Sequence, residues 1–71
     1  MAFAKNLKAL MHDRGITAYK LSKSIGAHQT SVANWLSGEN TPRVGTLEKV
    51  ADFFGVSVND LLKEREGSNG R

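Results

Sequence analysis

The amino-acid sequence predicts an all-α protein of five short helices in one compact domain. Apolar residues recur at three- and four-residue spacing, which is the period of amphipathic helices. Glycines follow the periodic segments, as they do at helix ends; these are Gly15, Gly26, Gly38 and Gly55. The 71 residues include no cysteine. Because no disulfide or cysteine-ligated zinc can hold so small a chain together, helix packing must stabilise it, with or without a partner chain.

The first helix is predicted to end after Arg14, where Gly15 follows. Its apolar stripe consists of Phe3, Leu7, Leu10 and Met11. Thr17 suits the N-cap of the second helix, which runs to about Ile25 with Leu21 facing inward. Gly26 then supplies the left-handed backbone conformation that a sharp turn needs.

The third helix is predicted to start near His28 or Gln29. At about 100° per residue, one arc of this helix is apolar and faces the core; it holds Val32, Trp35 and Leu36. The opposite arc is polar and compact, and it holds Gln29, Thr30, Ala33, Asn34 and Ser37. An amide- and hydroxyl-lined helix that is buried on its other side suits the major groove of DNA. The alternative is an ordinary solvated helix face.

The rest of the chain is predicted to form a loop and two further helices. Ser37 to Gly45 is the loop, and Thr46 is the predicted cap of the fourth helix. Its inner stripe is Leu47, Val50, Ala51 and Phe54. Ser57 and Asp60 resemble a capping box before a fifth helix that carries Val58, Leu61 and Leu62. We expect one domain over residues 1–65 and a disordered polar tail over 66–71.

Charge and composition limit the possible functions. The net charge is +3, and the first 26 residues carry five lysine or arginine side chains against one acidic residue, Asp13. That asymmetry is typical of a polyanion binder, although a solvated lysine-bearing surface is the simpler alternative. No apolar run approaches the roughly 20 residues of a membrane span, and no signal peptide is evident, so we expect a cytoplasmic protein.

Enzymatic chemistry has no support in the sequence. It shows no suitably placed carboxylate pair, no glycine-rich phosphate loop and only two histidines, His12 and His28, which lie far apart. We therefore expect no catalytic residues, no metal site, no cofactor and no small-molecule ligand.

From Phe3 to Leu62 the sequence resembles the lambda-repressor-like, or Cro/repressor-type (XRE), helix-turn-helix family. The resemblance rests on linked motifs in family order. These are GIT before the second helix, L-S-x-x-I-G across the turn, V-A-N-W-L-S-G closing the third helix, Pro42, and L-x-x-V-A-x-F-F-G-V-S-x-x-x-L-L at the end. The resemblance implies a five-helix DNA-binding domain whose second and third helices form the DNA-binding unit, and dimers that bind a near-palindromic operator.

The resemblance also implies roles for individual residues. The base-reading positions on the third helix are Gln29, Thr30, Ala33 and Asn34. Glutamine and asparagine can pair bidentately with adenine, and a threonine methyl can contact the thymine methyl. The phosphate-contacting positions are Thr17, Lys20, His28, Ser37, Asn40, Thr41 and Arg43. His28 is a cap or a phosphate neighbour rather than a metal ligand, because no second ligand has suitable spacing.

The chain departs from the family pattern at several positions. Ala18 replaces a frequent phosphate-binding glutamine, a role that neighbouring Tyr19 could take over, and Glu39 stands in the phosphate-facing loop. Met11 and Leu36 occupy the positions of a buried arginine–glutamate pair, and we predict that they touch in the core. Replacing a buried ion pair by apolar residues can be neutral or stabilising, because the desolvation cost disappears with the charges.

Two questions concern partners. Phe53 points away from the inner stripe of the fourth helix, so with Val58 and Leu62 it could form a subunit contact or remain a lone exposed aromatic. The expected function is sequence-specific double-stranded DNA binding by a transcriptional regulator, a repressor acting as a dimer. The alternative is a protein-interaction or antitoxin-type module, carried by Phe53 and the acidic end of the chain.

Overall fold

The computed structural model describes residues 2–64, which form five α-helices. Their bounds are α1 (Phe3–Arg14), α2 (Ala18–Ile25), α3 (Gln29–Ser37), α4 (Val44–Phe54) and α5 (Val58–Leu62). The prediction of an all-α fold with a helix-turn-helix at the second and third helices is confirmed. The predicted tail, residues 66–71, lies outside the described residues.

The turn between α2 and α3 is built as the sequence predicts. Gly26 has a φ of 74°, in the left-handed region that glycine adopts without strain. The amide of Ala27 donates to the carbonyl oxygen of Ser22 at 2.9 Å, which satisfies a carbonyl at the end of α2. The turn therefore fixes how α3 leaves α2.

Two predicted helix starts are confirmed by their caps. The hydroxyl of Thr17 accepts from the amide of Lys20 at 3.0 Å, which begins α2. At α5 the hydroxyl of Ser57 accepts from the amide of Asp60, and the Asp60 carboxylate accepts from the amide of Ser57. That backbone bond from Ser57, with help from Lys63, holds the pKa of Asp60 below its usual value.

The predicted start of α4 is wrong. The N-cap is Arg43, without a side-chain capping bond, so Gly45 and Thr46 lie inside the first turn of the helix. Gly45 was assigned to the loop on its residue type. A glycine costs a helix only about 1 kcal/mol, and α4 buries four residues against the core, so packing outweighs this local preference.

The core lies where α1, α3, α4 and α5 meet beneath α2. Its members are Phe3, Leu7, Met11, Leu21, Ile25, Val32, Trp35, Leu47, Val50, Ala51, Phe54 and Leu61. Phe3 meets Trp35 edge to face, with ring centroids 6.2 Å apart. Leu36 is only half-buried, and it packs against the core that contains Met11. Both residues thus lie on the core, and their direct contact stays a prediction.

Two long-range polar contacts close the fold. The fully buried amide of Asn6 donates at 2.8 Å to the carbonyl oxygens of both Leu61 and Lys63, so α1 satisfies the carboxyl end of α5. Arg14 donates to the carbonyl oxygen of Phe54 at 2.9 Å, and its guanidinium lies 5.9 Å from the centroid of that ring. These contacts fix both ends of the α4–α5 segment to α1.

The interpretation of Phe53 as a lone exposed aromatic is wrong. Its ring is half-buried and meets Phe54 edge to face, with centroids 5.0 Å apart. The predicted subunit-contact residues Val58 and Leu62 are likewise half-buried against the core. Because the short connection through Gly55 folds α5 back under α4, residues off the inner stripe also find cover.

Candidate nucleic-acid interface

The inward face of α3 fixes how this helix sits in the molecule. Val32 is fully buried and Trp35 is 5% exposed, and α3 packs on both α1 and α2. A helix held by two neighbours along one side cannot roll about its axis without opening the core. The direction of the opposite face is therefore fixed by the fold.

The outward face of α3 presents the predicted base-reading residues. Gln29, Thr30 and Ala33 are exposed, and Asn34 is half-buried. Within residues 2–64, the side chains of Gln29, Thr30 and Asn34 make no hydrogen bond. Their donors and acceptors are therefore not engaged within the described chain.

Ser37 lies at the end of the same helix and differs from these residues. Its hydroxyl donates to the carbonyl oxygen of Asn34 at 3.1 Å. A hydroxyl has one proton to donate. Ser37 can therefore donate to a phosphate only if this exposed bond opens first.

The amino end of α2 forms one side of the predicted phosphate-binding surface. Thr17 and Lys20 are both exposed. The Thr17 oxygen is used as an acceptor for the cap, which leaves its hydroxyl proton free to donate. The first-turn amides of an α-helix lack intrahelical acceptors and favour anions.

The α3–α4 connection forms the other side. Asn40, Thr41 and Arg43 are exposed, and their side chains make no hydrogen bond within residues 2–64. Arg43 is the N-cap residue of α4, so its guanidinium and the amino end of that helix are neighbours. The exposed carboxylate of Glu39 lies in the same connection and opposes the cation electrostatically.

His28 occupies the N-cap position of α3, but the predicted capping role is wrong. Its side chain makes no capping bond, although its carbonyl oxygen accepts from the amide of Ser31 at 3.0 Å. An imidazole places its nitrogens farther from the backbone than a serine or threonine hydroxyl does. The exposed ring stays available as a phosphate neighbour.

Tyr19 was absent from the predicted contact set. Its ring is 58% exposed on α2, and the Lys23 ammonium lies 5.7 Å from the ring centroid. Helical geometry contained the signal, because Tyr19 falls about 160° from the inward residue Leu21 at 100° per residue. An exposed aromatic beside two lysines on α2 extends the polar surface away from α3.

The described part of the chain shows no alternative centre. Among residues 2–64, no group of three or more His, Cys, Asp or Glu side chains is placed to bind a metal ion. None of the helices in that range is long and apolar enough to cross a membrane.

A short helix fixed by an inner stripe, entered through a glycine turn and bare on its polar side, defines a helix-turn-helix domain. The Cro/C1-type HTH DNA-binding domain model matches residues 6–64. The chain belongs to this family.

Three relatives share most of the chain. It is 27% identical over 66 residues to the HTH-type transcriptional activator BcrR of Enterococcus faecalis, covering 93% of the chain and 32% of BcrR. It is 25% identical over 64 residues to the cryptic phage CTXphi transcriptional repressor RstR of Vibrio cholerae, covering 90% and 58%. The crystal structure of a transcriptional regulator from Listeria innocua superposes with a TM-score of 0.78 at 28% identity, covering 87% of this chain and 61% of that one. The chain thus spans less than two thirds of each relative.

Proposed function

We propose that this chain is the sequence-specific, double-stranded-DNA-binding domain of a transcriptional regulator, a repressor that acts in the cytoplasm as a dimer on a near-palindromic operator. The observation that carries the proposal is the free polar face of α3, whose opposite face is locked in the core. The domain binds DNA by placing that face in the major groove.

Base recognition follows from the chemistry of the free face. Gln29 and Asn34 each offer an amide that pairs bidentately with the N6 and N7 positions of adenine. Thr30 and Ala33 offer methyl groups for the thymine methyl. Each good bidentate pair discriminates by about 1–3 kcal/mol. Half-sites containing A·T pairs are therefore expected.

Phosphate contacts fix the register of α3 in the groove. Thr17 and Lys20 grip the backbone on one side of the recognition helix, and Asn40, Thr41 and Arg43 grip it on the other. His28 and Ser37 lie at the two ends of α3 and complete the set. Such contacts carry no sequence information, and they make affinity fall with salt at a slope of about −0.9 per phosphate neutralised.

Two copies are needed because one domain of this size buries little DNA surface. Paired half-sites one helical turn apart give a dimer its affinity and impose two-fold symmetry on the operator. Phe53, Val58 and Leu62 are the proposed subunit contacts. The assignment as a repressor is supported by the resemblance to RstR, of which this chain spans more than half.

Selection of bound sequences from a random duplex pool tests the proposal, since it returns the half-site and the spacing together. Asn34→Ala and Arg43→Ala are then compared on the selected duplex and on random duplex. Asn34→Ala is expected to lower the preference for the selected sequence, whereas Arg43→Ala weakens binding to both alike. Equal losses for both variants on both duplexes would refute this division of roles. Failure to bind any duplex at low salt would instead favour a protein-interaction module.

A further inference from the structure

A groove of about 400 Å³ lies between the carboxyl end of α2 and the outer side of α4. Its lining residues are Ser24, Ile25, Lys49, Asp52 and Phe53. Ile25 belongs to the core, and Phe53 is half-buried, so the groove has an apolar base. None of these residues lies on the polar face of α3.

One cation and one anion line this groove. Lys49 and Asp52 are three residues apart on α4, both side chains are exposed, and within residues 2–64 neither forms an ion pair. Pairs at this spacing often join across a helix surface. Lys63 and Asp60 do so on α5, with Nζ and Oδ1 3.2 Å apart. The charges of Lys49 and Asp52 are therefore available to a partner.

We propose that this groove is the surface through which two copies of the chain pair. A two-fold interface is isologous, so the surface has to complement itself. A lysine and an aspartate beside a shared aromatic satisfy that condition, because a two-fold rotation brings Lys49 of one copy to Asp52 of the other. The two Phe53 rings then lie near the axis and lose their remaining exposed surface. A strongly acidic or basic partner would leave one of the two charges facing its like.

The inference rests on the proposed dimeric binding to DNA and changes its details. It places pairing on α2 and α4, and of the proposed contacts only Phe53 lines the groove. Val58 and Leu62, on α5, retain their packing within one subunit.

Charge exchange tests the proposal without disturbing the core, because Lys49 and Asp52 are exposed. Lys49→Asp makes the pair wholly acidic, and Asp52→Lys makes it wholly basic. Each variant alone is expected to lose self-association, and cooperative binding to a two-half-site duplex, by about tenfold or more. An equimolar mixture of the two is expected to restore both as a heterodimer, and so is the double variant Lys49→Asp/Asp52→Lys.

Matched controls are Lys8→Asp and Asp13→Lys, which change the net charge equally on the exposed side of α1. They should alter general DNA affinity without altering self-association or cooperativity. Sedimentation equilibrium reports pairing without DNA, and titration of single and paired half-sites reports it on DNA.

The outcomes separate this inference from the function on which it rests. If both single variants pair as the wild type does, or if their mixture gains nothing over either alone, the groove is not the pairing surface. If wild-type protein binds half-sites with no cooperativity, pairing is refuted while DNA binding stands. If pairing responds to the exchanges but no duplex is bound, the groove stands and the DNA-binding proposal fails.

Discussion

The two faces of α3 differ in what holds their side chains. On the inward face, Val32 and Trp35 are enclosed by neighbouring helices. On the outward face, Gln29 and Thr30 are exposed and make no side-chain hydrogen bond within residues 2–64. The fold depends on the first pair and is indifferent to the second. One nine-residue helix thus assigns stability and recognition to opposite sides, so each can be changed separately.

The largest expected effect comes from emptying the inward face. Trp35→Ala removes a ring that packs edge to face on Phe3, and it should cost about 3–5 kcal/mol of unfolding free energy. Denaturant titration measures the loss. The matched control, Gln29→Ala on the outward face, should stay within about 0.5 kcal/mol of the wild type. Similar unfolding curves for the two variants would remove the distinction between the faces.

A smaller loss is expected at the edge of the inward face. Leu36→Glu brings a carboxylate against the core that contains Met11, at a cost of about 1–3 kcal/mol. Met11→Arg added to this variant should recover part of the loss by forming an ion pair. Thermal unfolding measures both variants. A melting temperature unchanged by Leu36→Glu would show that position 36 belongs to the solvent side and that the predicted contact with Met11 is absent.

Truncation on the outward face should act on recognition alone. Gln29→Ala is expected to lose about 1–3 kcal/mol of discrimination at one base pair of the half-site. Asn34→Ala should lose a similar amount at a different base pair, because the two residues are more than a turn apart. Competition between duplexes with single substitutions measures each loss. Loss of discrimination at the same base pair, or at none, would contradict base reading by this face.

The smallest effect is expected where the two faces begin. His28→Ser gives α3 the capping hydroxyl that α2 already has in Thr17, and it should raise the unfolding free energy by about 1 kcal/mol. His28→Ala is the control, since it removes the ring without adding a cap. No difference between the serine and alanine variants would show that the first turn of α3 needs no cap.

Local chemistry made the helices predictable. The Thr17 cap, the Gly26 turn and the Ser57–Asp60 capping box each depend on residues at most four apart, so the sequence displays them directly. The start of α4 was missed because Gly45 and Thr46 suggest a loop and a cap, whereas packing of the buried stripe extends the helix.

Long-range contacts carried no such signal. Asn6 and Leu61 are 55 residues apart, and Arg14 and Phe54 are 40 apart. Nothing near Asn6 indicates that its amide closes α5. The predicted base-reading residues could be found because they share one helix. The groove between α2 and α4 could not, because it depends on how two helices pack.

The most direct test of the account follows individual side chains while a selected duplex is added. In ¹⁵N-resolved NMR spectra, the side-chain amide signals of Gln29 and Asn34 should shift strongly, because these groups enter the groove. The indole N–H signal of Trp35 should move little, because its ring stays in the core. A large shift of the indole signal with unmoved amides would show that α3 meets DNA with the other face, or not at all.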